Sequence, residues 1–221
     1  EINGTYYRSQ KPETFAKWHD ETPDDFVFAL KAPRYATNRR VLADAGASIE
    51  RFVTSGLVEL KTKLGPINWQ FAPTKAFDPA DFEAFLKLLP ASHEGLSLRH
   101  AVEVRHDSFR NAEFVALLRD HGVAPVLSAD GDFPQIADPT APFVYARIMG
   151  TVDSEPLGYS ASKLDDWADR ARDLARGRVP KSLHCVTPHA PKIARDVYLY
   201  VISGYKERNP QAAMALIERL R

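Results

Sequence analysis

Cysteine is almost absent: Cys185 stands alone in 221 residues, which excludes an intramolecular disulfide and a zinc site of the Cys-x-x-Cys kind. Such usage fits a reducing compartment, and a cytoplasmic location is expected. No sign of charge is in excess, since Lys plus Arg and Asp plus Glu both number 29. That balance leaves no long-range field to hold a nucleic acid or a membrane surface, so neither is an expected partner. No run of about eighteen apolar residues is present, and no basic-then-apolar leader opens the chain. No Gly-x-Gly-x-x-Gly follows an apolar run, which leaves a dinucleotide-binding sheet with little support. There is no low-complexity tract, and no domain boundary is read, so one domain over 1–221 is expected.

What the sequence does have is alternation. Seven β-rich runs are separated by helical patterns: "EINGTYY" at 1–7, "FVFALK" at 26–31, "INWQFA" at 67–72, "HAVEVR" at 100–105, "APVLSA" at 124–129, "FVYARIM" at 143–149 and "DVYLYVI" at 196–202. Helices are expected over 12–21, 48–64, 79–90, 111–122, 162–177 and the C-terminal "PQAAMALIERLR". Asp78 is an expected N-cap, with Ser160 or Ser162 for the later helix, and Gly122 and Gly177 suit C-terminal caps. This rhythm predicts an α/β fold, a TIM-like (β/α)8 barrel. The chain opens without an initiator Met on a strand already in progress, so the barrel is expected to lack its first β/α unit. An open doubly wound sheet is the alternative. Long loops are read at 32–47, 150–161 and 178–195.

In a barrel, alternate strand residues face the interior and the others face the helices. With Val102 and Val104 toward the helices, Glu103 and Arg105 face inward at the strand's C-terminal end, where barrel enzymes build their sites. The same reading places Lys31 at the tip of its strand opposite Phe28 and Leu30. It turns Tyr145 and Arg147 inward opposite Val144, Ala146 and Ile148, and sets Asn68 and Gln70 against Ile67, Trp69 and Phe71. In the first run Glu1, Asn3 and Thr5 share a face, with Tyr7 and Arg8 at the tip. Buried charges must neutralise one another or meet water or a ligand. Lys31, Arg105 and Arg147 against Glu1 and Glu103 therefore suit a small anionic or polyhydroxylated molecule, or else form a structural ion network.

Other residues carry weaker signals. His106 follows the Glu-x-Arg strand and is either an acid or base or a hydrogen-bonding cap. His184, Cys185 and His189 lack zinc-site spacing and read as loop residues. No metal is expected, because the inward set holds no strand histidine, and no cofactor is expected. Ser160 and Ser162 open a helix that would bind an anion at its N-terminus or simply be capped. Trp18, Trp69 and Trp167 read as packing residues.

The strings "EINGTYYR", "PETFAKW", "FALKAPR", "LGPINWQFAP", "HAVEVRHDSF", "FVYARIMG" and "GYS...LDDWA" resemble, in this order, the motifs of the DUF72 family, also called YecE-like or UPF0759. The resemblance implies a TIM-barrel-like fold preceded by one further β/α unit. It implies no firm activity, since the label "sugar isomerase-related" rests on fold. The motif positions it marks are Glu1, Asn3, Thr5, Tyr7, Arg8, Lys31, Pro33, Glu103, Arg105, His106 and Arg147. The chain departs from the family after the last strand, where Ile202 and Ser203 replace paired asparagines; Lys206 or Arg208 would substitute only by charge.

The expected function is an enzyme of isomerase- or lyase-like type, acting without a metal on a small anionic or sugar-like substrate, phosphorylated forms included, at the barrel's C-terminal mouth. Glu103 would be the base, Lys31 the acid or electrophile, and Arg105 and Arg147 the anion clamp. Glu1 and Asn3 would orient the substrate, with Thr5, Tyr7, Arg8, Gln70 and His106 around it. The alternatives are a non-catalytic barrel that binds a metabolite or partner, and a metal-dependent phosphodiesterase-like barrel. Sequence leaves the oligomeric state open.

Overall fold

The computed structural model describes residues 1–188 and 191–221. It divides into two compact units, Glu1–Phe109 and Arg110–Arg221.

The N-terminal unit runs α1 (Gly4–Tyr7), α2 (Pro12–Asp20), β1 (Phe28–Lys31), α3 (Arg34–Thr37), α4 (Gly46–Val53), β2 (Leu64–Gln70), α5 (Pro79–Lys87), the short strands β3 (Ser92–His93) and β4 (Leu96–Ser97), and β5 (His100–Glu103). Strands β1, β2 and β5 are parallel, with Lys31 beside Asn68, Asn68 beside Ala101 and Gln70 beside Glu103. Residues side by side in a parallel ladder share a face. One face therefore carries Lys31, Asn68, Gln70 and Glu103, and the other Leu30, Ile67, Trp69, His100 and Val102. The second face is the core: Trp69 is fully buried and meets Phe52 and Phe85 edge-on at 6.0 and 5.7 Å between ring centres, a favoured aromatic arrangement. Asp78 caps α5 by accepting from the amides of Ala80 and Asp81, with Pro79 in the first turn. Strands β3 and β4 form an antiparallel hairpin closed by Glu94 and Gly95, both at positive φ, as a two-residue hairpin turn requires.

Three sequence expectations fail here. Residues 1–7 do not form a strand. Ile2 makes one parallel bridge, donating to Ala29 O at 2.8 Å and accepting from Lys31 N at 3.1 Å, and the chain then turns into α1. The β preference of Thr-Tyr-Tyr yields to a tertiary bond: the buried Thr5 hydroxyl donates to Lys31 O at 2.7 Å, which only the turned-back chain reaches. The face assigned to Glu1, Asn3 and Thr5 by alternation therefore does not exist. The helix expected over 48–64 is interrupted, because Gly56 at φ 97° ends the first segment and Leu57–Lys63 continues as 3-10 turns. A Cβ at Gly56 would lie 2.6 Å from Pro12 of α2, so no side chain fits at this crossing. The loop expected at 32–47 holds α3 and a 3-10 turn, Leu42–Ala45.

The C-terminal unit runs α6 (Ala112–Asp120), β6 (Ala124–Ala129), β7 (Phe143–Ile148), α7 (Ala161–Ala175), β8 (Asp196–Val201) and α8 (Asn209–Leu220). Its three strands are parallel in that order, with Ser128 beside Arg147 and Arg147 beside Tyr200. Val144, Ala146 and Ile148 join Leu164 and Trp167 of α7 and Leu216 of α8 in one apolar cluster, so these strand residues do face helices. Asn111 caps α6 through Phe114 N, and Ser160, not Ser162, caps α7 through Lys163 N. Among the described residues six parallel strands stand where seven were expected, and the class is α/β. No described helix is long and apolar enough to cross a membrane.

Candidate functional site

Glu103 ends β5 with no solvent exposure, yet it is an acid whose burial demands partners. Arg105 supplies them, donating from Nε and Nη2 to Oε1 at 2.9 and 2.8 Å. The same Nη2 reaches Gln70 Oε1 at 2.8 Å, and Asn68 Nδ2 donates to Glu103 Oε2 at 3.1 Å. Strand parity explains the assembly: Asn68, Gln70, Glu103 and Arg105 alternate on one face at the C-terminal ends of β2 and β5. The network is built around the arginine, whose planar fork is fixed on the carboxylate side while its side chain keeps 20% exposure. Asn68 Oδ1 is buried and, among the described residues, has no hydrogen-bond partner. Beside it in register is Lys31, also buried, with Nζ 4.6 Å from the centre of the Tyr6 ring, a cation–π distance.

The structure thus brings Lys31, Asn68, Gln70, Glu103 and Arg105 together on one face and adds Tyr6. Thr5 serves by fixing the Lys31 backbone and Ile2 O. Asn3 and Arg8 are exposed, and Tyr7 is 68% exposed beside Tyr6. Glu1 is partly buried. His106 Nδ1 accepts from Ser108 N at 3.2 Å and lies 2.8 Å from Ser108 Oγ, closing the 3-10 turn Asp107–Phe109, the capping alternative in the sequence. Arg147 belongs to the C-terminal unit, buried between Ser128 and Tyr200 in register.

Sequence reasoning passed over a second polar cluster. Asp130 follows β6 at φ 57°, a conformation sparsely used by non-glycine residues. Its carboxylate accepts from Trp167 Nε1 at 2.8 Å and pairs with Lys163 at 3.0 Å. Tyr159 accepts from Gly150 N at 2.8 Å; burial, then the Asp130 charge, raises its hydroxyl pKa well above the usual value. Trp167 is therefore more than packing. Of the loop residues, His184 and Cys185 are exposed, and His189 lies outside the described residues. Partial burial of the Cys185 thiol, then the Asp138 charge, push its pKa up to about 11, which opposes thiolate chemistry at neutral pH. Among the described residues no three His, Cys, Asp or Glu side chains are grouped to hold a metal ion.

Compared with known proteins, the chain matches the family described as "Protein of unknown function DUF72" over residues 1–221. It is 31% identical over 112 residues to UPF0759 protein YecE of Escherichia coli strain K12, a match covering 49% of this chain and 38% of that protein. Less than half the length of this curated relative is thus spanned. Among solved structures, a DUF72 family protein from Enterococcus faecalis aligns with a TM-score of 0.70 at 16% identity, over 99% of this chain and 88% of the other. A DUF72 family protein from Thermotoga maritima aligns with a TM-score of 0.66 at 22% identity, over 97% and 80%. At such identities the likeness shows the fold, α/β and TIM-barrel-like.

Proposed function

Because the chain belongs to the DUF72 family along its full span, a family that brings a fold without an activity, we propose a function from the strand ends themselves: they bind a small anionic or sugar-like molecule. The observation that carries this reading is the Glu103–Arg105 pair. Glu103 is fully buried, and it holds a partly exposed guanidinium in a fixed orientation. A guanidinium held in one orientation attracts a carboxylate or phosphate without losing further side-chain entropy. The buried acceptor Asn68 Oδ1 adds a place for a donor such as a sugar hydroxyl.

On the enzymatic form of this reading, acid–base chemistry of isomerase or lyase type proceeds without a metal. Glu103 is the base, Lys31 the acid or electrophile and Arg105 the anion-binding group. A non-catalytic binding protein is the second reading. It is favoured by the state of Glu103, since both carboxylate oxygens already accept hydrogen bonds from Arg105 and Asn68. A cytoplasmic setting accords with the single cysteine.

A thermal-shift panel of sugars, sugar phosphates and organic anions tests the proposal, run on the wild type, Glu103→Gln and Arg105→Ala. A ligand of the native state raises the melting temperature. The expected result is a ligand-dependent rise in the wild type that both variants lose. No rise across the panel, with both variants simply destabilised, would make the network a structural one.

A further inference from the structure

The loops after β1 and β2 enclose a cavity of 440 Å³ lined by Thr37, Arg39, Arg40, Thr74 and Lys75, among others. Three cations meet here without a matching set of anions. Arg39 donates from Nε to Tyr35 O at 3.1 Å and from Nη2 to Ser48 Oγ at 2.6 Å, both neutral acceptors. Among the described residues neither Arg39 nor Arg40 has a carboxylate partner. The carboxylate bonded at this cluster, Asp81, is already committed: it pairs with Lys75 at 2.8 Å and accepts from the amides of Leu42 and Ala43 at 2.6 and 3.1 Å. Lys75 also donates to Arg40 O at 2.8 Å, which leaves one of its three ammonium protons.

A second, independent observation comes from the end of α3. Thr37, one of the residues that line this cavity, is 1% exposed, and its buried hydroxyl has no hydrogen-bond partner among the described residues. A buried hydroxyl left unpaired is costly, and it is retained where something outside the chain satisfies it. Unmatched positive charge beside a waiting hydroxyl is the chemistry of a bound phosphoryl group. A cavity of this size also has room for a small organic group beside the phosphoryl group, which a phosphate monoester supplies.

We infer that Thr37, Arg39, Arg40 and Lys75 form a binding site for the phosphoryl group of a small phosphate monoester. The site is separate from the Glu103–Arg105 network in its residues, and it stands or falls without it.

The test is titration of the full chain with methyl phosphate by isothermal calorimetry at low ionic strength, on the wild type, Thr37→Val, Arg40→Ala and Arg105→Ala. Saturable binding is expected in the wild type, about tenfold weaker in Arg40→Ala and about three- to tenfold weaker in Thr37→Val. Thr37→Val discriminates because it removes a hydroxyl with no partner. Its thermal midpoint should equal or exceed that of the wild type, so lost binding would not reflect lost folding. Arg105→Ala should keep the binding event that Thr37→Val and Arg40→Ala weaken, whatever the strand ends bind, so a failure of the strand-end reading is read from a different variant. No saturable binding, or equal affinity in the wild type, Thr37→Val and Arg40→Ala, overturns the inference.

Discussion

His100 and Glu103 lie on opposite faces of one short strand, and burial has been resolved differently for each. His100 is 6% exposed. Its Nδ1 accepts from Trp69 Nε1 at 3.0 Å, which leaves Nε2 to carry the proton donated to Pro90 O at 2.8 Å. The neutral ring is thus satisfied at both nitrogens, and burial lowers its pKa against the smaller raising effect of the Pro90 carbonyl. The unfolded chain, with an ordinary histidine pKa of about 6.5, therefore takes up the proton first as pH falls. This contribution to stability is complete above that value and declines as pH drops toward the folded-state pKa. Urea midpoints at pH 7.5 and 5.5 should show the fall in the wild type and a flatter dependence in His100→Asn. Glu103 instead keeps its role through ionic partners, and its parity with Arg105 was legible from "HAVEVR" alone. The sequence did not reveal His100, because a histidine on an apolar face carries no periodic mark distinguishing a packing role from a chemical one.

At the scale of elements, alternation was readable wherever a strand lay between two different environments. Val144, Ala146 and Ile148 sit against helices as expected, as does Trp69 against Phe52 of α4 and Phe85 of α5 in its own unit. It failed at 1–7, where one long-range bond from Thr5 decided the backbone, and at Gly56, where a close approach to Pro12 ended a helix whose apolar pattern continues. The cavity beside α3 was invisible because its residues come from two loops with no shared period. Helix α5 illustrates such a non-periodic tie. Asp81, in its first turn, anchors the 3-10 turn Leu42–Ala45 and Lys75 together. Burial raises its pKa, but the bonds from Lys75, Ala43 and Leu42 outweigh it and hold the carboxyl below its usual range. The unfolded-state pKa, about 3.9, lies higher, so this stabilisation is present above that value and lost as pH falls through the folded-state pKa. Asp81→Ala should cost about 2 kcal/mol at pH 7, and the gap from the wild type should narrow in acid, as measured by urea denaturation.

Taken whole, the molecule carries equal numbers of acidic and basic side chains. Net charge near zero weakens colloidal repulsion, so solubility should be lowest around neutral pH and rise to either side. Polyethylene glycol precipitation midpoints from pH 5 to 9 would check this. Fold class was legible from the β/α rhythm, because hydrophobic patterning repeats along the whole chain, whereas the division into two compact units has no compositional marker. The hairpin β3–β4 bears on how such a protein is handled. It immediately precedes β5, so it lies at the end of that strand opposite Glu103. A Cβ built on Gly95 at its tip meets nothing within 4 Å. An exposed two-residue turn of this kind accepts an inserted peptide. It offers a tether point from which the protein could be fixed to a sensor surface with the Glu103 end of the strand left turned toward the solution.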